Sequence, residues 1–242
     1  MTNILYTQQT EMIKAFDVAL RNNRLVAVID HRGSGFKYSL NVFSLTYPML
    51  KTVLITFNRG QFKVNDLSID IARGFSSIRF SNMKYKNADP VDLIKAIGAR
   101  VKADLKGRNV LLVFERFENL ATVNRMARFM GIIKSINFKC GIVVRTTTSH
   151  INKIENTNED FYYELMQFFA NRQSIKPYEP EDIEIFCKSF GMVSPTLLDE
   201  TKIKCKNLTQ AKESINLFLK YNPIKQLNLD FSRVEPEPVR FS

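Results

Sequence analysis

One stretch restricts the fold more than any other: Val26-Ala-Val-Ile-Asp30-His-Arg-Gly-Ser-Gly35-Phe-Lys-Tyr-Ser-Leu40. An apolar run, a turn with two glycines and a helix-compatible segment follow one another without a break. The continuous run suits a strand buried on both faces of a parallel sheet. The turn has the layout of a phosphate-binding loop, in which glycines let backbone N–H groups wrap a phosphate and the next helix points its positive end at it. The full pattern is G-x-x-x-x-G-K-[ST]. Here Asp30 stands where the first glycine belongs, Gly33 and Gly35 fit with Ser34 between them, Phe36 stands for the lysine and Lys37 for the hydroxyl residue. Phe36 can neither balance phosphate charge nor hold magnesium. Lys37 is one position late, rotated by about 100° on a regular helix. A bulged loop would let Lys37 and Ser39 act as the pair; otherwise the turn serves packing.

Two more segments continue the theme. Asn109-Val-Leu-Leu-Val-Phe-Glu115-Arg-Phe-Glu-Asn-Leu120 looks like a Walker B strand, an apolar run ending in acid. Depending on register, Phe114-Glu115 or Glu115-Arg116 stands for the Asp-Glu pair. Arg116 would place positive charge beside a metal site, and Glu118 is a remote substitute. Lys139-Cys-Gly-Ile-Val-Val-Arg-Thr-Thr-Thr-Ser-His-Ile-Asn-Lys153 resembles the sensor strand and following loop of AAA+ ATPases. In order and spacing of elements, the chain resembles transposition-helper ATPases of the Mu phage B protein type, target-selector ATPases included, over roughly residues 5 to 190.

That resemblance implies an α/β, P-loop NTPase-like (AAA+) three-layer sandwich with a parallel sheet and a small C-terminal helical lid. It implies an α/β domain over 1–177 and a lid over 178–222; alternating prolines and charges beyond that point argue for an extended or disordered tail over 223–242. The resemblance also implies ATP and Mg²⁺ as cofactors, although Phe36 and Arg116 argue against both. The cofactor-binding candidates are Gly33, Ser34, Gly35, Lys37 and Ser39; Glu115 is the catalytic candidate, and Arg172 is the candidate arginine finger near the end of the helix after the sensor loop. The function implied is that of a DNA-binding accessory of transposition or of a phage. It would assemble as a homo- or hetero-oligomer and recruit or regulate a transposase or a related ATPase, with weak or no ATP turnover. Two other readings stay open: an active NTPase built on Lys37, Ser39 and Glu115, and a protein-interaction scaffold that does not touch DNA. The first helix starts near Thr7, so the extra N-terminal DNA-reading domain of some relatives is not expected.

Charge supports a polyanionic partner. The 242 residues carry a net charge of +11, which favours nucleic acid over an acidic or neutral partner. Arg79, Lys84 and Lys86 lie among Phe75, Phe80 and Tyr85, an interleaving that can neutralise phosphates and stack on bases. Lys63 and Arg73 flank them, and Lys202, Lys204 and Lys206 form a second basic group. Nothing resembles a base-reading helix, so binding would be independent of sequence. Cys140, Cys187 and Cys205 lack C-x-x-C spacing, and His31 and His150 are too few for a histidine-based metal cluster, so no metal site is assigned. Cysteines so far apart make a disulfide framework unexpected and suit a reducing, cytoplasmic setting. No apolar run reaches membrane-spanning length, and no signal peptide is expected.

The remaining periodicity predicts helices over 7–22, 64–74, 89–106, 119–135, 160–171, 181–190, 195–206 and 207–221, a helix after the glycine turn through about Pro48, and strands over 24–30, 51–57, 109–115 and 139–146. Residues 146–160, rich in Thr, Asn and charge, read as a loop. Strands alternating with helices indicate a layered α/β sheet.

Overall fold

The computed structural model describes residues 6–31, 33–47, 49–59, 66–75, 89–104, 108–189, 195–205 and 207–221. Its elements run α1 (Thr7–Asn22), β1 (Leu25–Asp30), α2 (Phe36–Thr46), β2 (Leu50–Thr56), α3 (Leu67–Gly74), α4 (Pro90–Asp104), β3 (Asn109–Glu115), a 3-10 turn (Phe117–Leu120), α5 (Val123–Lys134), β4 (Gly141–Thr147), α6 (Thr148–Thr157), α7 (Glu159–Phe168), β5 (Arg172–Ser174), α8 (Pro180–Ser189), α9 (Pro195–Lys204) and α10 (Leu208–Tyr221). The strands form one parallel sheet in the order β2-β3-β4-β1-β5. The chain divides into two compact units, one of residues 15–29 and 47–173, the other of residues 1–14, 30–46 and 174–242.

The first unit holds the sheet. In β3 every residue after Asn109 is buried, because both sheet faces are covered, as a parallel sheet requires. Val110, Leu112 and Phe114 face one large core together with Ala27, Ile29, Ile142 and Val144. Residues of the opposite parity, Leu111, Val113, Val26, Val28 and Val143, are equally buried. The edge strand β2 is more exposed, and Leu54 lies between buried Val53 and Ile55. At the start of β4, Gly141 meets the backbone of α1: a Cβ there would stand 2.8 Å from the Ala19 carbonyl. Rings lock the segment after β3. Phe117 lies edge-on to Phe129 at 5.3 Å and to Phe169 at 5.6 Å, and Phe114 edge-on to Phe129 at 5.2 Å.

Residues 146–160 are not a loop. They form the end of β4, all of α6 and the start of α7. Thr147 caps α6, its Oγ1 accepting from the His150 N–H at 3.3 Å, and Ile151 and Ile154 are the buried stripe. Asn158 caps α7 in the same way at 3.0 Å. The Thr and Asn residues that read as loop are helix caps. The helix expected over 119–135 starts later, after the 3-10 turn, where Thr122 caps α5.

In the second unit a smaller core joins Tyr6, Tyr178, Ile183, Cys187, Leu198, Cys205, Ala211 and Ile215. Asp182 caps α8 by accepting from the Glu179 N–H at 3.1 Å, and the same carboxylate accepts from Gln8 Nε2 at 3.0 Å. Glu184 of α8 pairs with Lys188 at 2.6 Å and with Lys202 of α9 at 2.7 Å. Hydrogen bonds from these two lysines hold its carboxyl down to about 2. The tail beyond residue 221 lies outside the described residues.

Candidate functional site

The glycine turn gathers Gly33, Ser34, Gly35, Lys37 and Ser39 at one loop–helix junction. Gly33 and Gly35 both have left-handed backbones, with φ of +79° and +84°, conformations that cost other residues about 1 kcal/mol or more. Ser34 Oγ donates to Asp30 Oδ2 at 2.6 Å, so the acid that stands for the motif's first glycine ties the turn to the end of β1. Phe36 opens α2 and is buried; Lys37 is exposed. Ser39 is buried, and its hydroxyl donates back to the Gly35 carbonyl at 3.2 Å.

Residues far along the chain close on this turn. Tyr178 Oη donates to the Ser34 carbonyl at 2.7 Å. A Cβ at Gly35 would stand 3.0 Å from Gln9 Nε2 and 3.3 Å from Tyr178 Oη, and one at Gly33 would stand 2.7 Å from Asn207 Oδ1. Asn207 itself caps α10, accepting from the Gln210 N–H at 3.0 Å. Burial raises the Tyr178 phenol well above its usual range, so it stays a donor. His31 lies edge-on to the Tyr178 ring at 5.9 Å. Tyr178, Gln9 and Asn207 carry no local signal in the sequence.

A second cluster lies at the ends of β2, β3 and β4. Glu115 ends β3 and is buried. Its Oε1 lies 3.0 Å from Arg145 Nη1 of β4, and its Oε2 accepts from Thr56 Oγ1 of β2 at 3.3 Å. Thr56 is the register partner of Glu115. Arg116 is exposed and left-handed, with φ of +64°, and Ala121 beyond the 3-10 turn is left-handed too, with φ of +62°. Asn119 Nδ2 donates to the Phe57 carbonyl at 2.7 Å and fastens the turn. Sequence reasoning did not single out Arg145, although a charge inside an apolar strand demands a partner. His150, on α6, packs edge-on to Phe117 at 6.1 Å. Burial, with Lys153 beside it, pushes its imidazole down to about 4.

Arg172 begins β5 and is exposed, whereas the helix before it ends at Phe168. Arg79, Lys84 and Lys86, with Lys63, Phe80, Tyr85 and Lys206, fall outside the described residues. Arg73 pairs with Asp70 at 3.2 Å, and Lys204 with Glu200 at 3.0 Å. Cys140, Cys187 and Cys205 are free and buried, and burial pushes the Cys140 thiol up to about 12. Among the described residues, no group of three or more His, Cys, Asp or Glu side chains can hold a metal ion, and no helix is long and apolar enough to cross a membrane.

No protein-family model matches the chain, and a search of curated proteins finds no match. Among solved structures, the Aeropyrum pernix ORC2 protein, in its ADPNP-ADP complexes, is similar with a TM-score of 0.64 at 8% identity. The similarity shows the fold, an α/β fold of the P-loop NTPase-like kind with a parallel sheet. The similarity covers 93% of this chain and 65% of that one, so the chain spans just under two thirds of the ORC2 length. Drosophila ORC bound to GC-rich DNA and Cdc6 is similar at a TM-score of only 0.44, with 12% identity over 93% of this chain and 80% of that one.

A nucleotide with Mg²⁺, which the resemblance implies, requires a free acid at the end of β3. The residues present do not fit such a metal. Both Glu115 oxygens are engaged, one of them by a guanidinium that repels a dication.

Proposed function

We propose that the chain is a DNA-associated AAA+-type scaffold that does not turn over ATP. What supports the non-hydrolytic half is the ion pair between Glu115 and Arg145. A carboxylate held by arginine can neither bind magnesium nor activate water. Phe36 in place of the motif lysine points the same way. What supports the DNA half is the net charge of +11. The finer role follows from the resemblance of three segments to transposition helpers: the chain assembles as an oligomer on DNA and recruits or regulates a transposase or a partner ATPase. Arg172, exposed on an edge strand, is the group offered to a neighbouring subunit.

The test measures phosphate release and DNA retention on the same purified protein. The expected result is no turnover above background and retention that weakens steeply with salt. Turnover of about 1 per second or faster, abolished by Lys37→Ala, would instead establish the active site on Lys37, Ser39 and Glu115. Absence of salt-sensitive retention would favour a scaffold that binds protein alone.

A further inference from the structure

We infer that Arg145 is a built-in replacement for a divalent cation at the end of β3. The inference rests on reading Glu115 as the acid of a Walker B-like strand and is independent of DNA association. The Glu115 side chain is 2% exposed. A carboxylate so buried needs a positive partner and hydrogen bonds. Strand β3 lies between β2 and β4, and the acid is gripped from both sides, by Thr56 Oγ1 at 3.3 Å and by Arg145 Nη1 at 3.0 Å.

The placement follows from the register. Phe114 pairs with Val144, so Glu115 and Arg145 come next along the two parallel strands. Successive side chains alternate between faces. Phe114 and Val144 belong to the large core, which sends Glu115 and Arg145 together to the opposite face. The Arg145 side chain is 16% exposed, so water and small ions can reach its place. The strand ends therefore carry their own counter-charge and need no metal to hold the acid.

Thermal unfolding of the full chain, with EDTA or with millimolar Mg²⁺ or Mn²⁺, tests this. The wild-type Tm is expected to be the same in all three conditions. Arg145→Ala is expected to lower Tm by about 10 °C in EDTA, since it leaves a buried charge unpaired. Mg²⁺ or Mn²⁺ should then restore several degrees, because the vacated place accepts a cation. In Glu115→Gln/Arg145→Ala that metal response should vanish. Arg145→Gln keeps the stem and loses the charge, so it covers the case in which Arg145→Ala does not fold; the same metal response is expected of it. A wild-type Tm that rises with metal would overturn the inference. So would single variants that ignore metal, or a response that survives Glu115→Gln.

Discussion

Gly33 and Gly35 serve a purpose visible only in the folded chain. The sequence offers them as a phosphate cradle or as a packing turn. In the structure the Asn207 side chain lies against Gly33, and Gln9 and Tyr178 lie against Gly35. Gly33→Ala combines a left-handed backbone with a Cβ 2.7 Å from Asn207 Oδ1. It should cost about 1–3 kcal/mol of stability by urea unfolding, with part recovered in Gly33→Ala/Asn207→Gly, where the clash is gone and glycine still caps adequately. An unchanged midpoint in the single variant would show that the turn tolerates a side chain. Glu115 could be picked out locally, because it ends an apolar run. Its partner could not, since Arg145 is 30 residues away and nothing in spacing says which acid a strand arginine meets.

At the scale of elements, β3 and α1 begin and end where apolar periodicity predicts them. That periodicity records burial directly, and burial on both faces distinguishes a central strand. Helix α6 escaped notice because its apolar stripe is thin, Ile151 and Ile154, and the rest is polar. Its stability comes from packing on the large core and from the Thr147 cap. The helix also carries a pH dependence. The folded state holds His150 near 4 against an ordinary value of 6.5, so it binds fewer protons than the unfolded chain between those values. Stability from this residue is complete above about 6.5 and is lost as pH falls towards 4. The loss should be about 1–2 kcal/mol once solvent screening of a partly exposed ring is allowed for. Unfolding at pH 7.5 and 5.0 checks it: His150→Phe, which keeps a ring beside Phe117, should lose less stability than wild type over that interval. Equal losses would assign the pH dependence to other groups.

At the scale of the whole molecule, the charge of +11 makes a prediction about salt. If DNA contacts come from the basic segment, removing charge at Arg79, Lys84 and Lys86 together should flatten the salt dependence of DNA binding. Each lost phosphate contact should reduce the slope by about one unit. A constant Tm in the same variant would assign the change in slope to binding and not to folding. An unaltered slope would move the surface to Lys202, Lys204 and Lys206.

The sequence by itself determined the alternation of strands and helices, the glycine turn and the acid ending β3, because each is written in neighbouring residues: periodicity, backbone freedom, a charge closing an apolar run. Tertiary structure alone decided the strand order β2-β3-β4-β1-β5, the pairing of Glu115 with Arg145 and the closure of the glycine turn by Tyr178 and Asn207. Tyr178 meets Ser34 across 144 positions. Local patterning specifies that a group must be buried and satisfied; only the packing of distant segments selects the group that satisfies it.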